Sequence, residues 1–173
     1  SVVCLSIFTL VSTAFSDEGD HEFDLVIRHG TVVDGTGNPW FKADIGVKND
    51  RIAAIGSITK KGKLEIDATG LVVAPGFIDI HSHSDFYLLR DGHAQSKIRQ
   101  GVTTEILGEG NSVGPYQGKL SPKKVIVNGQ TAHLTRLADY FDLIEKSKVS
   151  VNVASYVGIN NIWQSVMGTK FDR

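Results

Sequence analysis

The sequence predicts an α/β protein in two parts, a small all-β module over residues 23–74 followed by a parallel α/β sheet over 75–173. Three observations carry this. Up to residue 74, short strand patterns alternate with turn signals about every eight to twelve residues, the rhythm of a small β-sandwich or barrel. At Pro75-Gly76 the pattern changes to an apolar strand of the kind buried in a parallel sheet. From there the order is strand, helix, strand, loop, helix, strand, which calls for parallel strands joined by right-handed crossovers.

The chain opens at Ser1 with an apolar run, Val2 to Val11, broken only by Cys4, Ser6 and Thr9. That run is shorter than the roughly 20 residues a bilayer span needs. Small residues follow (Ser12, Thr13, Ala14, Ser16), then the acidic, polar stretch Asp17 to Glu22. An apolar core ending in Ala14-Phe15-Ser16 reads as a partial signal peptide over 1–16, with 17–22 as a polar linker. A buried N-terminal strand is the competing reading. The signal reading implies export, to a periplasm or the medium, with no membrane association after its removal. Cys4 precedes most of the run, the wrong place for a lipid anchor, and reads as inert.

In the β module, Phe23–Arg28 and Thr31–Val33 are strands separated by a His29-Gly30 turn, and Asp34-Gly35-Thr36-Gly37 is a strong turn. Phe41–Val47 alternates, Asn49-Asp50 turns, and Arg51–Ile55, Leu64–Ile66 and Leu71–Ala74 complete the set. This part is read as packing rather than chemistry. In the second part, Phe77–Ile80 is apolar except for Asp79 and reads as a strand covered on both faces. Ser84–Gln100 carries Phe86, Leu89, Ala94 and Ile98 at helical spacing, weakened by Gly92 and ended by Gly101. Val102–Leu107 is a β-branched strand and 108–118 a glycine-rich loop. Leu134, Leu137, Ala138, Phe141 and Ile144 share one helical face, so 134–146 is the firmest helix. Val149–Val157 is a third strand, after which the chain runs through Trp163 and Met167 to Arg173 without a stop signal; both ends look cut.

Composition removes several functions. A single cysteine excludes an internal disulfide and a CxxC zinc ribbon. With 18 Lys and Arg against 19 Asp and Glu and no dense basic stripe, nothing attracts a phosphate backbone, and no nucleic-acid partner is expected. Lys119, Lys123 and Lys124 read as a solvated loop.

The chemistry concentrates on His81 and His83. Side chains two apart on an extended chain leave on the same side, so the two imidazoles can converge on one ion such as zinc. They sit at the C-terminal end of the first strand of the α/β part, where such sheets build their sites. Polar residues bonded to backbone or water are the alternative. Asp85 fits either an imidazole-orienting carboxylate or the cap of the next helix. Glu109, between Gly108 and Gly110, is a candidate ligand or a solvated loop residue. Glu105, inside its strand, reads as a salt-bridge partner in the interior. His93, read as mid-helix, and His133, read as a helix start, are expected at the surface. His29, in a turn, and His21, in the polar segment, have no evident partner.

Taken together, FDLVIRHGTVVDGTG at 23–37, ADIGVKNDRIAAIG at 43–56 and DATGLVVAPGFIDIHSHSD at 67–85 resemble the start of the metal-dependent amidohydrolase superfamily. Within it, GVTTEILGEGNSVGP at 101–115 and VNVASYVG at 151–158 are most similar to the N-acyl-D-amino-acid deacylases, or D-aminoacylases. The resemblance covers about residues 23–173. It implies a β-sandwich segment followed by the first part of a (β/α)8 barrel, incomplete because eight strands need roughly 250 residues. It further implies one or two zinc ions at the barrel mouth with His81 and His83 as ligands. Many D-aminoacylases place a metal-bridging cysteine in a G-N-C-G segment. Here the run is Gly108-Glu109-Gly110-Asn111, and the count from the histidine pair sets Gly110 at the cysteine's place, so Glu109 substitutes only with a one-residue shift. The implied reaction is hydrolysis of the amide of a small N-acyl-D-amino acid by metal-activated water, with a general-base aspartate beyond Arg173 and residues 1–173 alone inactive. The competing functions are a cyclic-amide hydrolase of the hydantoinase or dihydroorotase type, disfavoured by the GEGNSVGP loop, and a non-catalytic binding module.

Overall fold

The computed structural model describes residues 21–169. The signal peptide expected over 1–16 with its Cys4, and residues 17–20 of the expected linker, lie outside the described residues. The chain divides at Pro75/Gly76 into two compact units, and its class is α/β.

The first unit is one five-stranded sheet of β1 (Phe23–Val32), β2 (Phe41–Lys48), β3 (Arg51–Gly56), β4 (Gly62–Asp67) and β5 (Val72–Val73). Its order is β3-β2-β1-β4, with β5 also on β1. β1 is the hub: it pairs antiparallel with β2 and parallel with both β4 and β5, its Phe23–Arg28 half taking β4 and Thr31–Val32 taking β5. The expected His29-Gly30 turn is instead a bulge inside a continuous strand. The register against β2 slips between Ile27 and Gly30, and His29 takes φ 58°. Side chains hold that left-handed residue in place: the His29 N–H donates to Asp44 Oδ1 at 2.8 Å, and its Nδ1 lies 3.2 Å from Asp67 Oδ1. His29 therefore has a partner, contrary to expectation. Phe23, Val26, Val32 and Ile45 are buried. Gly46 has to lack a side chain, since a Cβ there would sit 2.7 Å from the Phe23 ring. Arg28 reaches Asp44 at 3.4 Å and Glu65 at 2.6 Å, tying β1 to its neighbours on both sides.

The second unit contains β6 (Phe77–Asp79), α1 (Asp85–Leu88), α2 (Gln95–Ile98), β7 (Val102–Leu107), β8 (Lys123–Val127), β9 (Gln130–Leu134), α3 (Leu137–Ser147), β10 (Asn152–Ser155) and α4 (Ile159–Met167). β6, β7 and β10 form a parallel sheet in the order β10-β7-β6, as the alternation of elements requires. Among the described residues no sheet closes into a barrel. Leu88, Leu107, Val113, Leu134, Tyr140 and Ile144 form its core.

Several expectations are corrected here. The helix expected over 84–100 is two short ones. Asp91 captures the His93 N–H at 3.0 Å and Ala94 turns left-handed at φ 46°, both of which compete with helical hydrogen bonding. His93 thus lies in the turn between α1 and α2. Lys123 and Lys124 lie not in a loop but on β8, which pairs with β9 as a hairpin; His133 is a strand residue of β9, and Leu134 is buried at that strand's end. The hairpin turns on Asn128-Gly129 at φ 51° and 76°, a mirror-image turn that this dipeptide favours. Helix α4 was not anticipated. β6 is not covered on both faces: Phe77 and Ile78 are each 60% exposed.

Two outcomes follow. Tyr140 is fully buried with its hydroxyl donating to the Asp85 carbonyl at 2.8 Å, so Tyr140→Phe lowers stability by about 1 kcal/mol and Leu107→Ala by about 2–5 kcal/mol in urea unfolding. In the first unit, hydrogen bonds from Lys63 to Asp24, from the His29 backbone to Asp44 and from Arg28 to Glu65 hold those carboxyls low, and Thr69 brings Asp67 down to about 2. Folding then favours the ionised forms. Stability is constant above the ordinary carboxylate range near pH 4 and declines as pH falls towards about 2. A flat unfolding midpoint across that window contradicts this.

Candidate metal centre

β6 ends at Asp79, and the chain bends at Ile80 and His81 while staying alongside β7. The Ser82 N–H donates to the Ile106 carbonyl at 3.1 Å, prolonging the β6–β7 pairing beyond the strand. Alternation along this segment buries Ser82 and leaves His81 and His83 exposed on the same side, their rings edge to face at 5.1 Å between centroids. The histidines lie just past the strand rather than on it.

The neighbouring strand supplies the third residue. β7 ends at Leu107, and Gly108 turns the chain at φ 85°, packed so closely that a Cβ would lie 2.3 Å from the Tyr156 carbonyl. Glu109 emerges exposed, with Oε2 3.2 Å from His81 Nε2. His81, His83 and Glu109 each offer one donor atom, and all three atoms lie within 4.8 Å of one another. A tetrahedral zinc with bonds near 2.1 Å separates its donors by about 3.4 Å; the His81–Glu109 pair at 3.2 Å is close to that spacing, and two imidazoles with a carboxylate are donors that suit the ion. Gly110 has no side chain to contribute.

The groups beneath are ordered. Asp79 Oδ1 accepts the His81 N–H at 3.1 Å, and Lys97 Nζ donates to Asp79 Oδ2 at 2.5 Å, holding this carboxyl below its ordinary value. Lys97 also lies 3.8 Å from Glu105, the interior salt bridge expected of that residue. Asp85 is not a cap; Ser84 holds that position and Asp85 opens α1, where burial raises its carboxyl. The loop carrying Glu109 is clasped by α4. Asn161 Oδ1 accepts the Ser112 N–H at 2.8 Å, its Nδ2 donates to the Ser112 carbonyl at 3.0 Å, and the Asn160 N–H reaches the Gly110 carbonyl at 3.1 Å. The roles of Ser82 and Asn161 were missed. For Ser82, its position between two outward imidazoles is a usable signal; for Asn161 the sequence offers none.

Residues 64–145 match the amidohydrolase family. The chain is 40% identical over 156 residues to the D-aminoacylase of Alcaligenes xylosoxydans xylosoxydans, covering 88% of this chain and 32% of that protein. The chain belongs to the amidohydrolase family. This amidohydrolase sequence is also 35% identical to the N-acyl-D-glutamate deacylase of the same organism, over 84% of its own length and 30% of the relative's. A crystal structure of a D-aminoacylase matches it with a TM-score of 0.71 at 37% identity, over 84% of this chain and 31% of that one. The N-acyl-D-glutamate deacylase from Bordetella bronchiseptica, in complex with zinc and a phosphonate mimic of the tetrahedral intermediate, also gives 0.71, at 34% identity over 87% and 32%. The chain spans about a third of the length of these relatives.

Asn161 is buried, and its amide is spent on the loop. Asn161→Ala leaves the Ser112 N–H without its partner and the Ser112 carbonyl with only the Tyr116 hydroxyl at 3.3 Å, costs about 1–3 kcal/mol, and speeds hydrogen exchange at the Ser112 amide. Unchanged exchange there counts against the clasp.

Proposed function

We propose that this chain carries the opening part of a zinc-dependent amide hydrolase that deacylates small N-acyl-D-amino acids. The observation that carries the reading is the convergence of His81, His83 and Glu109 at two adjacent parallel strand ends. The similarity to D-aminoacylase and N-acyl-D-glutamate deacylase supports the substrate class. In the same reading the first unit is a β-sandwich segment, and β6, β7 and β10, neighbours in one parallel sheet with the β8–β9 hairpin inserted between β7 and β10 along the chain, are the first three strands of a (β/α)8 barrel.

His81, His83 and Glu109 would hold the metal. A zinc ion bound there supplies Lewis acidity, polarising an amide carbonyl and making water acidic enough to react near neutral pH. The protein's own part is orientation. Asp79 fixes the His81 backbone, Ser82 faces inward so that both imidazoles face outward, and Gly108 turns Glu109 towards them.

In the full-length protein, replacing both His81 and His83 by Ala is expected to abolish bound zinc in elemental analysis and to reduce hydrolysis of N-acetyl-D-amino acids to background. Glu109→Ala weakens zinc binding by about tenfold or more. Unchanged metal content in the double histidine variant overturns the assignment.

A further inference from the structure

Among the described residues Glu105 is the one fully buried charged side chain. It stands on β7, flanked in register by Asp79 of β6 and Val153 of β10. One carboxyl oxygen, Oε2, accepts from the Ser82 hydroxyl and faces Lys97 Nζ at 3.8 Å. The other, Oε1, is buried without a hydrogen-bond partner among the described residues. Such a group is expensive. Withdrawing a carboxyl group from water with one oxygen left unpartnered is costly, and an apolar residue at a central strand position would contribute more to stability. The position of its partner gives the cost a purpose.

Ser82 is the residue between the two histidines, and it is 2% exposed. It is held at both ends of its dipole, the N–H by Ile106 O and the hydroxyl by Glu105, with Ser84 Oγ also 3.0 Å from the hydroxyl. With Ser82 pinned inward, alternation leaves His81 and His83 no choice but the outer side. The linkage closes on itself. Glu105 faces Lys97, Lys97 binds Asp79, and Asp79 accepts the His81 N–H, so both ends of the His81-Ser82 step are tied to one charged ring.

We propose that Glu105 is a positioning residue that presets the two imidazoles for metal by anchoring Ser82. This deepens the zinc reading above and rests on it. No contact between Glu105 and the ion is involved; its effect passes through the Ser82 hydroxyl. Loosening that anchor lets the 81–83 segment rotate, and the metal then has to order it on binding, which lowers affinity.

The test uses the full-length protein and Co2+, with affinity measured by competition against a chromogenic chelator and geometry by the visible ligand-field spectrum. Ser82→Ala and Glu105→Leu are each expected to weaken Co2+ binding by about tenfold to a hundredfold and to alter the spectrum. The double variant is no weaker than the weaker single, because both cut one linkage. Glu105→Gln, which keeps an acceptor for the Ser82 hydroxyl, stays close to wild type. Thermal unfolding is followed in parallel; if Glu105→Leu fails to fold, Ser82→Ala carries the test. Wild-type affinity and spectrum in a folded Ser82→Ala protein overturn the proposal. Loss of binding in the His81→Ala and His83→Ala variants alongside that result leaves the zinc reading standing, whereas no Co2+ binding by the wild-type protein refutes the zinc reading itself.

Discussion

The parallel pairing of β6 with β7 is the constraint on which the rest depends. Only three residues long, β6 pairs with β7 alone among the described residues. Register sets Asp79 opposite Glu105, so the two chains leave the sheet side by side and in the same direction. An antiparallel pair would send the segments after Asp79 and Leu107 to opposite ends, and His81 could not meet Glu109. Parallel pairing requires a long crossover. The chain between Asp79 and Val102 supplies it with α1, α2 and the Asp91–Ala94 turn, and α2 returns Lys97 to the two carboxylates that need it.

The two units use charge differently. In the first, Arg28 bridges Asp44 and the more exposed Glu65 and also donates to the Ile58 and Lys60 carbonyls, so its charge is met on every side by hydrogen-bond acceptors. In the second, the ring of Asp79, Lys97 and Glu105 runs from a part-exposed surface into a fully buried strand position. Its negative end is less than fully satisfied. Interior charge of that sort is weak evidence for stability and better evidence for a required local geometry. The geometry here is the path of residues 79–83, touched by three of the ring's hydrogen bonds.

Much of this was legible because it is written in local patterns. Alternation along Phe41–Val47, the β-branched run Val102–Leu107 and the helical face of Leu137, Phe141 and Ile144 each declare an element, and the strand-helix-strand order declares parallel pairing. That the two histidines face the same side was legible for the same reason, since a spacing of two with the intervening residue turned inward sets both outward. Features set by distant partners were not legible in this way. Residues 84–100 have a helical apolar pattern, but Asp91 and Ala94 break it through hydrogen bonding and backbone conformation that the pattern does not encode. His29 looked like a turn because its left-handed backbone is stabilised by Asp44, fifteen residues away. The Asn128-Gly129 hairpin did carry its usual signal. Lysines and a histidine on its strands masked it, although Val125 and Val127 of β8 and Leu134 of β9 turn towards the core.

The position of Glu109 shows how one backbone dihedral governs chemistry. Glu105 and Leu107 both point into the interior, so continued alternation would bury residue 109 as well. Gly108 interrupts the alternation at φ 85°, and the Tyr156 carbonyl against it excludes any side chain that would resist that turn. Glu109 is thereby swung from the buried face to the exposed one, into reach of His81. The same turn bears on the family comparison made from sequence. If a cysteine one residue later serves in related enzymes, its short side chain requires the backbone itself to approach the ion. A glutamate is two bonds longer and can act from one residue earlier, provided the turn faces it correctly. The backbone after β7, held by α4 through Asn161, provides that orientation. On the proposed zinc reading the one-residue shift trades backbone proximity for side-chain reach, and the turn at Gly108 is what permits it.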